Sequence, residues 1–177
     1  MAGQLIQVDT ETVTSAVASV TLTGIDSDDV YMVAYNNVTP STDARSISVR
    51  VTESGTPNTT ANYDYAYKVL NSTSTFSNGA FTNSTSWQYI IADGVGTGTS
   101  ESANGIIYCF NFNNASEYSF ITVEMSEVNY EPIARGNQGG GVFTSSSACN
   151  GLYFADLAGG NIASGTLLYI RWYNNGR

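Results

Sequence analysis

Three carboxylates crowd one stretch of the chain: Glu124, Glu127 and Glu131. Paired carboxylates are the working groups of glycosidases, one acting as acid and one as nucleophile or base. What defines such a pair is its separation in space, and sequence spacing alone does not supply that. On a strand, Glu124 falls opposite an apolar face and so faces water. No further glycosidase motif accompanies these residues, and an enzymatic role is not expected. "DSDD" (Asp26, Ser27, Asp28, Asp29) offers oxygens for calcium but lacks the D-x-D-x-D-G spacing, and it reads as a solvated turn. "GVGTGTSESANG" invites a phosphate cradle, yet it lacks the Gly-Lys-Ser/Thr ending and no helix pattern follows it. A flexible surface loop is the expectation there.

The chain contains no histidine. That excludes Ser-His-Asp and Cys-His nucleophilic catalysis and the common zinc sites. Cys109 sits in an apolar run ("GIIYCFNF") and Cys149 in a polar one ("SSSACNG"), and two free thiols are expected rather than a bridge. No cofactor or metal is expected. Five Asn-x-Ser/Thr triplets occur, at Asn37, Asn58, Asn71, Asn83 and Asn114. About four arise by chance in a chain this rich in Asn, Ser and Thr, so they carry little information.

The aromatic residues are the more informative chemistry. Twelve Tyr, seven Phe and two Trp are present, and "ANYDYAYKV" places Tyr63, Tyr65 and Tyr67 on one strand face. Exposed, such a ladder stacks sugar rings. Half-exposed, it lines an oligomer interface, where tyrosine is enriched. Buried, it is core. Core plus interface is favoured over glycan stacking for these three residues, and Trp87 and Trp172 are read as core.

Composition bounds the partners. The 177 residues suit one domain, 1–177, large enough for a sizeable core. Charged residues are 12%, about half the usual share, and the net charge is −9. Lys68 and five arginines form no cluster, so neither nucleic acid nor an anionic membrane surface is an expected partner. No run approaches the twenty apolar residues of a membrane-spanning helix, so no membrane insertion is expected. The start "MAGQLIQVDTETV" lacks the basic and long apolar segments of an export signal. A surface rich in hydroxyls and amides, made without such a signal, fits a virion component synthesised in a host cytoplasm.

Helix signals are nearly absent, while Thr, Val, Ile, Tyr and Phe abound. The apolar runs alternate with period two. Ile47, Val49 and Val51 share a face, as do Ile121, Val123 and Met125, and Val20 with Leu22. Strands are predicted near 4–10, 16–23, 30–36, 45–52, 63–70, 86–92, 105–112, 118–127, 150–155 and 165–173. About ten antiparallel strands at this spacing predict an all-β, jelly-roll-like sandwich. Loops are predicted at 53–62, 93–105 and 134–151.

The segment "CNGLYFADLAGGNIASGTLLYIRWY" (149–173) resembles the end of β-rich structural modules of tailed bacteriophages, marine ones especially. There an "NGI-x-F…GNI-x-SGT-x-x-LYG" pattern recurs in tail-fibre and capsid-surface proteins. Asn150, Gly151 and Phe154 match its first part. Gly160, Asn161, Ile162, Ser164, Gly165 and Thr166 match the second. The closing "YIRWY" departs from the usual Leu-Tyr-Gly. "VTLTGIDSDDVYMVAYNNVTPSTDARSISVRVTESG" (20–55) resembles the opening of such modules, and "YDYAY" (63–67) their central strand. The resemblance implies a sandwich that is usually a homotrimer, bound to other virion proteins of capsid or tail and exposed on the particle exterior. The expected function is a capsid decoration protein or a short fibre or spike module, with a host-glycan-binding fibre tip as the alternative. Gly160 and Gly165 are expected to make the turns before the last strand.

Overall fold

A computed structural model describes residues 4–174. Twelve strands and no helix occur among them: β1 (Gln4–Thr12), β2 (Ser19–Thr23), β3 (Tyr31–Val38), β4 (Ser48–Glu53), β5 (Thr56–Pro57), β6 (Tyr63–Asn71), β7 (Ser77–Ser84), β8 (Ala103–Phe110), β9 (Ser119–Val128), β10 (Ala134–Phe143), β11 (Gly151–Ala155) and β12 (Leu167–Asn174). They form two antiparallel sheets. The large sheet runs β1-β12-β3-β8-β9-β10-β6-β7 and the small one β2-β11-β4-β5. Successive strands cross between the sheets: β1 to β2, β3 to β4, and β11 to β12. The order β1-β12-β3-β8 over β2-β11-β4-β5 is therefore the interleaved pairing of a jelly roll. The strands β9-β10-β6-β7 extend the large sheet beyond it.

The period-two runs point where their spacing predicts. Val20, Leu22, Ile47, Val49, Val51, Ile121, Val123 and Met125 are all buried in the cluster between the sheets. β9 shows why: its residues alternate strictly between inside and outside over the whole strand. One face is apolar and packed, and the other carries Thr122, Glu124 and Ser126 in solvent.

Four segments differ from the expectation. Residues 86–92, expected as a strand, pair only at the isolated bridge of Trp87 with Val49. Trp87, Ile90, Ile91 and Ala92 are all fully buried, a run that an alternating strand cannot produce. Tyr89 takes a left-handed backbone, φ 63°, which turns the chain inside this segment. Residues 134–151, expected as a loop, contain β10, a central strand of the large sheet. Its glycines resemble loop residues in sequence, but the neighbouring strands β9 and β6 and one aromatic ring close in on them. The Trp87 indole lies where a Gly141 Cβ would be. β7 was not predicted, because "SNGAFTNS" is polar and its strand is exposed along most of its length. The 53–62 loop, likewise, folds through the short strand β5.

The turns before β12 also differ in detail. Gly159 (φ 93°) and Gly165 (φ 91°) adopt the left-handed conformation that favours glycine. Gly160 does not; it lies against the carboxylate of Asp156, where a side chain would collide.

The small sheet is centred on β11, which pairs with β2 on one side and β4 on the other. At Gly151, an added Cβ would overlap the Leu22 carbonyl oxygen. Gly151→Ala should therefore destabilise the chain by about 3 kcal/mol through forced separation of β11 from β2. Urea unfolding of the variant against the parent measures this.

Candidate functional site

Tyr63, Tyr65 and Tyr67 do share one face of β6, and that face is turned inward. Tyr63 is fully buried; its hydroxyl donates to the Asn58 carbonyl (2.8 Å) and accepts from the Val51 amide (3.2 Å). Its ring meets Trp87 edge-on at 5.1 Å and Phe143 at 4.9 Å. Tyr65 is 5% exposed and stacks between Tyr67 (6.3 Å) and Phe81 (4.9 Å). Tyr67 is half-buried over Gly79, and burial pushes its hydroxyl up to about 12. Burial likewise raises Tyr63 and Tyr65. Tyr63 and Tyr65 thus offer no free ring face on which a sugar could stack. The burial arises because residues 86–92 fold over the inner face of β6 and β10 instead of forming a strand elsewhere.

The three carboxylates do not meet. Glu124 lies on the outer face of β9, exposed, and accepts from Gln138 at 3.4 Å. Glu127 lies on the inner face and is 4% exposed. Glu131 is exposed in the loop that follows. Glu124 and Glu127, on opposite faces of one sheet, cannot flank one bond of a substrate.

Glu127 instead meets a residue the sequence did not pair with it. Arg135, next to Glu127 across the β9–β10 ladder, points its Nη1 at Asp93 Oδ2 (3.6 Å) and Glu127 Oε1 (4.0 Å). The Asp93 amide donates to Glu127 Oε2 at 2.9 Å, and Arg135 Nη1 donates to the Asp93 carbonyl at 3.1 Å. The Ser46 hydroxyl donates to Asp93 Oδ1 at 3.2 Å. Two carboxylates sharing one guanidinium leave an excess negative charge in a poorly solvated place. Burial, above all, raises Glu127 to about 7, with the Asp93 charge adding to it and the Asp93 amide and Arg135 opposing it. Burial also raises Asp93. A sequence signal existed: Glu127 occupies the same alternation phase as Ile121, Val123 and Met125, a charge at an inward position.

The remaining motifs resolve into structure. In the 93–105 loop the Gly98 amide binds Glu101 Oε2 (2.8 Å) and the Thr97 amide binds Asp43 Oδ1 (3.2 Å). Amides that would hold a phosphate here hold the chain's own carboxylates. In "DSDD" the Tyr31 hydroxyl organises the turn, accepting from the Asp26 and Ser27 amides and donating to Asp26 Oδ1. Among the described residues no group of three or more His, Cys, Asp or Glu is placed to hold a metal ion. Cys109 and Cys149 are both free and buried, and burial raises both thiols. No helix among the described residues is long and apolar enough to cross a membrane.

No family model matches the chain, and no curated protein does. Among solved structures, a fructofuranosidase from Schwanniomyces occidentalis complexed with fructosylnystose aligns over 97% of this chain and 34% of its own, at 9% identity and a TM-score of 0.20. The chain spans about a third of that enzyme's length, and a likeness this slight carries no argument about fold or activity.

Because Glu127 binds its proton more tightly folded (about 7) than unfolded (4.5), its contribution is full below the unfolded value and is lost as pH rises through 7. Asp93, also raised, acts in the same direction. Stability should fall by about 2 kcal/mol between pH 5 and 8. Glu127→Gln, which keeps an oxygen for the Asp93 amide, should flatten that dependence. Urea midpoints across this range, for parent and variant, provide the check.

Proposed function

We propose that this chain is a non-enzymatic structural protein of a bacteriophage particle, displayed on its exterior as a homotrimer. It serves as a capsid decoration protein or as a short fibre or spike module. What supports the reading is the position of the residues that carry the resemblance: they hold the sandwich together. Asn150 Oδ1 accepts from the Thr52 hydroxyl (2.9 Å) and the Gly55 amide (3.0 Å), tying the start of β11 to the β4–β5 turn. Phe154 is fully buried between the sheets. Ile162 bridges both Val17 and Pro40, and the Ser41 amide donates to the Asn161 carbonyl at 2.8 Å. The buried Thr166 hydroxyl donates to the Asn37 carbonyl at 3.1 Å. Motif residues spent on closing loops and filling the core suit a protein whose work is mechanical. The mechanism is burial: a closed sandwich resists unfolding and adds that resistance to the particle it covers. A surface rich in hydroxyls and amides with net negative charge keeps it soluble and limits sticking to anionic cells.

One observation favours a glycan-binding tip as the second reading, at a different place from the tyrosines of β6. Tyr108 (39% exposed) and Phe120 (40% exposed) lie on the outer face of the large sheet, on the adjacent strands β8 and β9. Glu124 and Gln138, joined by their hydrogen bond, stand on the same face. Exposed rings beside amide and carboxylate groups are the chemistry by which sugars are held. Tyr108→Ala should abolish any glycan-array signal the chain gives, while Tyr63→Phe should leave it unchanged.

Immunogold electron microscopy of intact virions tests the main reading, with antibody raised to the recombinant chain. Label over the head supports decoration, and label on the tail supports a fibre or spike. Absence of label from every particle overturns the virion reading. Light scattering should give three times the chain mass or a multiple of it, and a monomer at micromolar concentration would overturn the trimer.

A further inference from the structure

β7 ends the large sheet with β6 on one side and no strand on the other. It is eight residues long, and none of them is buried. Natural edge strands are guarded by charges, prolines or short length, because an open row of amides and carbonyls invites another strand. β7, "SNGAFTNS", has neither a charge nor a proline, and its one bulge, at Thr82 and the left-handed Asn83 (φ 53°), lies near its end, so Ser77–Phe81 form a regular open ladder. Large apolar side chains stand on it and beside it: Phe81 within the strand is 40% exposed, Phe76 just before it 60%, and Leu70 on β6 40%.

The charge distribution singles out the same edge. The chain holds fifteen acidic residues, yet none lies between Asp64 and Asp93, the longest acid-free stretch it has. That stretch contains Lys68, the chain's lysine, paired across the ladder with Asn78 of β7 and placed 5.6 Å over the Phe76 ring. Two copies, each at −9, repel over most approaches. Along β7 that repulsion is least, and exposed main-chain groups and apolar side chains are already present.

We propose that β7 is a docking edge for a second copy of this chain, the two β7 strands pairing antiparallel about a two-fold axis. Direction follows from charge. Lys68 stands beside one end of β7, and Asp64, which accepts from the Asn83 amide at 2.8 Å, stands beside the other. Antiparallel pairing brings the Lys68 end of each copy to the Asp64 end of the other, whereas parallel pairing sets like ends together. Three strand spacings, about 14 Å, separate these side chains' strands, so the attraction steers the direction and adds little to affinity. Main-chain hydrogen bonds supply the affinity, as in strand addition generally. A two-fold contact is isologous and does not by itself build a trimer. The proposal therefore stands apart from the virion reading: it joins two free chains, or two trimers.

Sedimentation velocity on the full chain tests it, with Ala80→Lys and Ala80→Glu as variants. Ala80 is exposed in the middle of β7, where charge is tolerated by natural edges. The parent should sediment as a dimer or as a pair of trimers, each variant at half that mass, and an equimolar mixture of the two variants at the full mass again. A parent trimer that the variants leave unchanged overturns the β7 contact and leaves the trimer standing. A parent dimer that falls to monomer supports β7 and overturns the trimer. A monomeric parent at about 100 μM overturns both, and halved variants that mixing fails to restore overturn the pairing.

Discussion

One sheet has eight strands and the other four, and that mismatch governs the rest of the structure. At about 4.8 Å per strand the small sheet covers roughly half the width of the large one. The inner face of β9, β10 and β6 would stand in water without another cover. Residues 86–95 provide it. They bond to the free edge of β4 at Val49 and to Arg45 at Val95, extending the small sheet with an irregular piece. Trp87, Ile90, Ile91 and Ala92 then fill the space above the overhang.

That cover explains the glycine strand and the tyrosines together. Trp87 can lie on β10 because Gly141 has no side chain, and Tyr67 can lie on β7 because Gly79 has none. The rings restore the apolar area that glycine gives up. Tyr63 and Tyr65 are packed by the same segment and lie within the core. The buried Glu127 follows too: Asp93 and the 94–95 backbone close over it as they complete the cover. An ionic group retained at such a place costs stability at neutral pH, because its desolvation outweighs the shared guanidinium.

The exposed features lie on the other side of this arrangement. The outer face of the large sheet carries Tyr108, Phe120, Glu124 and Gln138, and its far edge is β7. Both belong to the four-strand extension or its border, the part that a plain eight-stranded jelly roll would lack. The extension therefore adds exposed surface, while its inner face shares one core with the jelly roll.

The alternation of polar and apolar residues determined the all-β class, the antiparallel pairing and the inward set of β2, β4 and β9, because a half-buried strand must alternate. The lack of histidine, likewise, settled which nucleophilic chemistry is excluded. Four things were decided by tertiary structure. β10 is a strand because β9 and β6 pair with it on both sides and the Trp87 ring lies over Gly141, and no local pattern encodes those neighbours. Residues 86–92 are not a strand because the left-handed Tyr89 turns the chain within them, and Trp87, Ile90, Ile91 and Ala92, buried on both sides of that turn, keep no period of two. β7 is a strand because β6 offers it hydrogen bonds, and an edge exposed on both faces has no apolar side to mark it. The pairing of Asp93 with Glu127 through Arg135 joins residues more than thirty positions apart, a proximity that exists only once the sheets have closed.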